Sequence, residues 1–398
     1  MARCCTSCFR DLVLIAFLEA NGTADACEFC KSTALCMEAN KVGDYFSRFL
    51  DYYAPFDQDE HGAFAEAFRY AGHQFEARIS EHIQRDWNTF SERLDEGKQR
   101  ALTDALLLAD DRYSPESIWV QPQFSKDRVS SLAPWRKLAV HLKRDRRYVV
   151  DRNSIHDLEE VQRLVQHASV YVRRKLVQGV DYFRARKGYI GADETLDDML
   201  SGAQRPFERE EIGAPPKALT LHGGRINPPG FSFLHLASDR DTAVAETRPD
   251  KGDVVSTAVF RTTQEMTVAD LANVPDLASP FQSGDLLRDT ESRGLMKLLN
   301  HEFALPVSPD LGPVEYVPTQ YAAELLRDVG FDGVVYSSSL GTGENLVLFR
   351  PTSAQWVASA LAKVEDVICV ITSADEVLVK NMFEAAAQEH ADAERGEE

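Results

Sequence analysis

At 398 residues the chain has room for two or three domains and at least one sizeable core. Its 44% hydrophobic and 27% charged residues describe an ordinary folded protein and exclude fibrous or largely disordered classes. A net charge of −19 argues against nucleic acid as the main partner, because gripping a phosphate backbone needs a basic surface.

Six of the seven cysteines precede Glu38, which marks one local module at residues 1–40 and not the spread bridges of a secreted framework. Cys5 and Cys8 form one C-x-x-C pair, and Cys27 and Cys30 form another. Their separation falls inside the window for a tetrahedral zinc site in which each knuckle supplies two thiolates. Cys4 could replace Cys5, and Cys36 could serve as a fourth or spare ligand. Four thiolates leave no open coordination position, so the expected role of the Zn2+ is structural. A ribbon of this size has almost no core, and metal binding would supply most of its folding energy.

The apolar run 12–18, flanked by Asp11 and Glu19, predicts a short buried helix. It falls far short of the roughly 20 residues of a membrane span. Arg3 and Arg10 imitate the basic start of a leader, but no small-residue cleavage site follows, so the expectation is a cytoplasmic protein with no membrane association.

Residues 41–179 are rich in helix formers and read as a mostly α-helical domain. Leu102 and Leu106 stand on one helical face, and Leu158, Val161, Leu164 and Val165 give helical spacing to 158–180. Pro115 and Pro122 break the helices, with Trp119 and Val120 forming a short extended piece. The basic residues Lys143, Arg144, Arg146 and Arg147, followed by Arg173, Arg174 and Lys175, read as a solvated helical face.

From Tyr182 the texture turns to alternating strands and helices, and residues 180–355 form the next expected domain. Strands are predicted at 182–186, 233–237, 254–260, 333–336 and 345–349. Asp239 is placed to cap a helix that carries Thr242 to Thr247 and stops at Pro249. A second helix spans 320–329 and ends at Gly330. Residues 356–398 are expected to add a strand at 367–371, a helix at 374–388 and an acidic tail. The mixed order indicates an α+β or α/β class, of which α+β is the expectation.

Three polar residues stand out. His222–Gly223–Gly224–Arg225 puts an arginine on a loop whose glycines permit close backbone approach to a ligand, and a guanidinium there suits phosphate or carboxylate. His235 lies within a strand, and Glu246 lies on a helix among Ala243, Val244 and Ala245. For such a carboxylate a salt bridge to Arg248 is at least as good a reading as catalysis.

The ordered series Gly223–Gly224–Arg225, Leu236–Ala237–Ser238, Thr242–Ala243 with Glu246, Thr319–Gln320, Gly330–Phe331–Asp332–Gly333, Tyr336–Ser337–Ser338 and Asn345 to Phe349 resembles the RES-domain family, over about 182–351. The resemblance implies an ADP-ribosyltransferase-like mixed β core and, in well-known members, toxins that destroy NAD. It implies that Arg225, Glu246 and Ser338 (or Ser337, one position earlier) carry the chemistry, with His235 stacking on nicotinamide. Arg184, or else Arg186, would be the family's early strand arginine and would bind the cofactor-like substrate together with Gly224 and Asn345. The family strand usually carries tyrosine where this chain has His235, which puts rate and substrate choice in question.

The region ahead of it is similar to the HEPN/RES amino-terminal arrangement. Arg136 and His141 match the Arg-x4–6-His spacing of HEPN nucleases, although a structural helix pair is the simpler reading. Taken together, the resemblance implies a toxin-like or defence enzyme that splits the nicotinamide–ribose bond of NAD as a glycohydrolase or phosphorylase, with an antitoxin or regulatory protein as partner. The alternatives are an ADP-ribosyltransferase using the same residues, and a non-catalytic or RNA-directed HEPN-like module.

Overall fold

The computed structural model describes residues 2–57, 76–121, 132–147, 155–191, 204–216, 218, 220–221, 223–305 and 312–368. His222, the helix expected at 374–388 and most of the strand expected at 367–371 lie outside them.

At the amino terminus β1 (Arg3–Cys5), β2 (Thr23–Ala26) and β3 (Thr33–Glu38) form an antiparallel sheet in the order β1-β3-β2. Between them α1 (Leu12–Asn21) is started by Asp11, whose carboxylate accepts from the Val13 and Leu14 amides at 2.9 and 3.0 Å. The expected helix is present and three residues longer, but only Leu14 and Leu18 are buried, and Leu12 is 79% exposed. Then follow α2 (Ala39–Tyr52), β4 (Ala54–Pro55), α3 (Ile79–Trp87), α4 (Glu96–Leu107) and β5 (Trp119–Val120), the last paired with β4 where a short extended piece was expected. Cys4, Cys5, Cys8, Cys27 and Cys36 share one core with Phe9, Phe46, Phe49, Phe90 and Trp119. This corrects the expectation of a nearly coreless ribbon: the cysteine knuckles rest on an aromatic cluster supplied by α2 and the segments after it.

Two further helices, α5 (Ala133–Arg144) and α6 (Ile155–Ala168), lead into the carboxy-terminal half. The helical spacing read over 158–180 holds only to Ala168, since residues 173–176 form the strand β6 (Arg173–Leu176). Arg173, Arg174 and Lys175 therefore belong to a sheet edge and not to a helical face. A strand places alternate side chains on opposite sides, so the edge keeps Leu176 buried and its charges in solvent or in ion pairs.

The remaining strands are β7 (Asp181–Lys187), β8 (Leu234–Ala237), β9 (Val254–Thr262), β10 (Met266–Asp270), β11 (Gly333–Ser337), β12 (Glu344–Leu348) and β13 (Ala354–Lys363). With β6 they make an eight-stranded mixed sheet in the order β13-β9-β7-β8-β12-β11-β10-β6, antiparallel except for β10 with β11. The architecture is mixed α+β. The longer helices that accompany the sheet are α7 (Arg240–Ala245), α8 (Leu286–Ala304) and α9 (Val317–Asp328), beside single turns at Arg209–Ile212 and Gly312–Glu315. Several elements were not foreseen, among them β6, β10, the last strand and α8. The last strand lies at 354–363, paired along β9, while Val367 and Ile368 belong to no strand. The 19-residue α8 was missed because its first half is polar and Gly294 interrupts it, although Leu295, Leu299 and Phe303 lie four apart on its buried face.

Period-two alternation sorts the sheet into two faces. Leu234, Leu236, Val335, Leu346 and Leu348 turn to one core cluster, while Val334, Tyr336, Val347 and Phe349 turn to the cluster shared with α5, α6, α8 and α9. No helix among the described residues is long and apolar enough to cross a membrane.

Candidate active site

Strand β7 is paired along its whole length with β9 but meets β8 at a single residue pair, Phe183 with Ala237. Where these two strands part, a cavity of about 460 Å³ opens, with Arg184 on one side and His235, Glu246, Tyr336 and Asn345 among its walls. Register explains the grouping. Ala237 stands opposite Asn345, Asn345 opposite Tyr336, and His235 opposite Val347, so all face the same side of the sheet.

Glu246 follows the last turn of α7, which Asp239 caps as expected by accepting from the Thr242 amide at 2.7 Å. Its Oε1 accepts from the Ser338 hydroxyl at 2.7 Å and from the Asn345 amide at 2.6 Å. Both donors land on one oxygen, and among the described residues no protein donor reaches Oε2. The salt bridge to Arg248 does not form. Ser338 is tied from behind, its Oγ accepting from the Leu340 and Gly341 amides at 3.1 and 2.9 Å. Ser337 faces away, exchanging hydrogen bonds with the Asn300 side chain at 2.9 and 3.2 Å.

The two strand arginines separate. Arg184 lines the cavity, donating from Nε to the Ile212 carbonyl at 2.6 Å and from Nη1 to the His235 carbonyl at 2.7 Å. Burial, aided by the charge of Arg186, pushes its pKa down to about 10. Arg186 is exposed, bonded to the Glu211 carbonyl and stacked over Phe207. Arg225 is not in the cavity wall. Its guanidinium donates to the Phe303 carbonyl and lies close enough to His235 and Tyr336 to act on both electrostatically. The loop that carries it is pinned by α9: Thr319 donates to the Arg225 carbonyl at 2.6 Å and Gln320 to the Gly224 carbonyl at 2.7 Å. Gly223 has φ +61°, and a side chain there would meet the Asn227 carbonyl and Pro229 at 2.9 Å. Here the two glycines close the turn on Asn227, whose side chain would meet any Cβ at Gly224.

His235 pairs with Asn227, its Nε2 lying 3.2 Å from the Asn227 Oδ1. Burial, with the charges of Arg184 and Arg225 adding to it, pushes its pKa down to about 3, so the ring is neutral around neutral pH. The unfolded imidazole titrates near 6.5 and takes up a proton that the folded ring refuses. The folded state therefore keeps its full stability from this group above about pH 6.5 and loses it as the pH falls towards about 3. His235→Phe should accordingly flatten the acid dependence of stability, measured by denaturant unfolding at about pH 7 and about pH 5. Equal slopes in variant and wild type would mean that the ring titrates normally. Tyr336 and Asn227 complete the site beyond the sequence reading. Tyr336 stood in a quoted motif without a role, and Asn227 lies two residues after Arg225 in the same loop.

Away from this cleft, the sulfurs of Cys5, Cys8, Cys27 and Cys30 all lie within 4.8 Å of one another. The contacts are 3.9 Å for Cys5 with Cys8, and 3.4 Å for Cys5 with Cys30 and for Cys8 with Cys27. A tetrahedron with metal–sulfur bonds of about 2.3 Å separates its sulfurs by about 3.8 Å, so the set fits a metal of that type. The spare cysteines are elsewhere. Cys36 donates to the Asp25 carbonyl at 3.3 Å, and burial with neighbouring thiols pushes Cys4 up to about 12.

Residues 203–368 match the model of the RES domain family. This part of the chain is a RES domain. The matched span contains Arg225, His235, Glu246, Ser338 and Asn345, whereas Arg184 precedes it on β7, a strand of the same sheet. No curated protein matches the chain. Among solved structures, the M. tuberculosis MbcT–MbcA toxin–antitoxin complex contains a chain that is similar over 50% of this chain and 91% of its own length, at 15% identity and a TM-score of 0.28. In front of the RES domain, Arg136 and His141 do not meet. Arg136 is exposed on α5, while His141 is buried and lies 3.3 Å from Asp145. Five residues turn a helix by about 140°, which separates the two side chains.

Proposed function

We propose that the cleft of the RES domain binds NAD and breaks its nicotinamide–ribose bond, making the chain a glycohydrolase or phosphorylase of toxin-like type acting in the cytoplasm. The observation that supports this most is Glu246, fixed through Oε1 by Ser338 and Asn345 and facing the cavity. Cleavage passes through an oxocarbenium-like state at the ribose C1′. The bonding pair leaves with the nicotinamide nitrogen, which departs neutral and needs no strong acid. A water or phosphate oxygen then forms the new bond to C1′ and gives up its proton where it carries one to lose.

In this reading the Glu246 Oε2 accepts a hydrogen bond from a ribose hydroxyl and its charge stabilises the cation. Arg184 spends two nitrogens on backbone carbonyls and keeps Nη2 for a phosphate oxygen. Arg225 acts from behind the wall, adding positive potential beside His235, which stays neutral and offers a flat ring to nicotinamide. Asn345 orients Glu246, and Gly224 shapes the Arg225 loop. Arg186 serves the surface. Incubating the full chain with NAD and resolving products by mass spectrometry tests the assignment. Free nicotinamide with ADP-ribose or its 1-phosphate is the expected outcome. A covalent mass increase on a protein or nucleic acid would instead assign an ADP-ribosyltransferase, and untouched NAD would overturn both.

We further propose that Cys5, Cys8, Cys27 and Cys30 hold a structural zinc ion, supported by the spacing of the two knuckles and by sulfur contacts of tetrahedral size. An antitoxin or regulatory protein as partner follows from the family reading.

A further inference from the structure

Glu246 and Ser338 belong to segments far apart in the chain, and their 2.7 Å contact requires the β11–β12 hairpin to sit at a set height above α7. Two hydroxyl side chains bridge the helix to the hairpin there. Thr242 is buried in the first turn of α7, its Oγ1 donating to the Asp239 Oδ2 at 2.8 Å and accepting from the Gly343 amide at 3.0 Å. Ser238 repeats the pattern beside it, donating to the same Asp239 oxygen at 2.9 Å and accepting from the Glu344 amide at 2.9 Å. The hairpin closes down on this pair so tightly that a Cβ at Gly343 would lie 2.0 Å from the Asp239 Oδ2 and 2.4 Å from the Ser238 hydroxyl. At Gly341 it would lie 2.8 Å from the Thr242 hydroxyl. Gly343 in turn accepts from the Ser338 amide at 3.1 Å, and the Gly341 amide donates to the Ser338 hydroxyl at 2.9 Å.

The two ends of α7 thus serve one purpose. Its first turn grips the hairpin that carries Ser338, and its last turn is followed directly by Glu246. A helix of six residues is a short rigid spacer, so the grip at one end fixes the meeting of serine and carboxylate at the other. We infer that Thr242 is a positioning residue for NAD cleavage: its hydroxyl bridges the Asp239 cap to the Gly343 amide and thereby holds Ser338 on Glu246. The inference rests on the reading that Glu246 acts on NAD.

Thr242→Val keeps the shape and removes both hydrogen bonds, and Thr242→Ser restores the hydroxyl. Thr242→Val should lower kcat by roughly tenfold or more with KM changed less than about threefold, because misplacement of the pair weakens transition-state contacts more than ground-state binding. Thr242→Ser should recover kcat to within about threefold of wild type. Hydrogen exchange supplies a readout free of turnover: segment 338–344 should exchange faster in Thr242→Val than in wild type or Thr242→Ser, at an unchanged melting temperature of the rest of the chain. Equal kcat in Thr242→Val and wild type, or a Thr242→Ser variant as slow as Thr242→Val, sinks the positioning role. Wild-type protein that leaves NAD intact sinks the enzymatic reading instead, and exchange at 338–344 then still decides whether the clamp exists.

Discussion

Glu246→Gln should lower the turnover of NAD by about a thousandfold or more while leaving the melting temperature within a few degrees of wild type. The substitution keeps the side chain's size and leaves a carbonyl oxygen to accept from Ser338 and Asn345, so the anchoring at Oε1 persists. The loss falls on the other atom. An amide nitrogen in place of Oε2 presents hydrogens to the cavity where the transition state develops positive charge, replacing attraction by repulsion. Removing one preorganised electrostatic group typically costs 10² to 10³ in rate, and the reversed dipole pushes the effect to the upper end. Turnover is followed by nicotinamide release, and folding by thermal melting of the same samples. If the glutamine variant turns over NAD as fast as wild type, the carboxylate has no part in the chemistry.

Stripping metal from the protein, or replacing Cys8 with Ser, should lower the midpoint of thermal unfolding by about 10 °C or more. Four sulfurs packed within 4.8 Å repel one another once they ionise, and a divalent cation converts that repulsion into bonds. The cost would spread beyond the knuckles. Cys5, Cys8 and Cys27 lie in the same core as Phe46 and Phe49 of α2 and Leu286 at the start of α8. The far end of α8 carries Asn300, Phe303 and Ala304, which hold Ser337, Arg225 and Ser339. Metal analysis of purified protein and melting with and without a chelator provide the check. A chelator should shift wild type and leave Cys8→Ser unmoved. A wild-type melting curve indifferent to chelator, with no zinc recovered, would leave four packed thiols and no centre.

Much of the local structure was readable one segment at a time. The Asp239 cap, the helix stop at Gly330 and each of the two cysteine knuckles depend on neighbours a few residues away. The reading failed where local signals conflicted with distant pairing. Residues 173–176 continue a helical stretch in the sequence but become an edge strand because β10 lies beside them, and the polar first half of α8 hid a helix whose run of apolar residues four apart starts only after Gly294. The choice between Ser337 and Ser338 was equally closed to sequence. Adjacent positions at a strand end point to opposite sides, and only the placement of α8 and α7 shows that Ser337 meets Asn300 while Ser338 meets Glu246.

By itself, then, the amino-acid order determined the caps, several of the strands and helices, the cysteine spacing and the family motifs, because periodicity, caps and turn residues act over short stretches of chain. Tertiary structure alone decided that β7 and β8 part to open a cleft, that Arg184 lines it while Arg225 stands behind it, and that two donors converge on one oxygen of Glu246. Strand order and the direction of a side chain depend on contacts between residues 50 to 100 positions apart, as in the 51 between Arg184 and His235 and the 99 between Glu246 and Asn345, and local preference carries no information about such pairs.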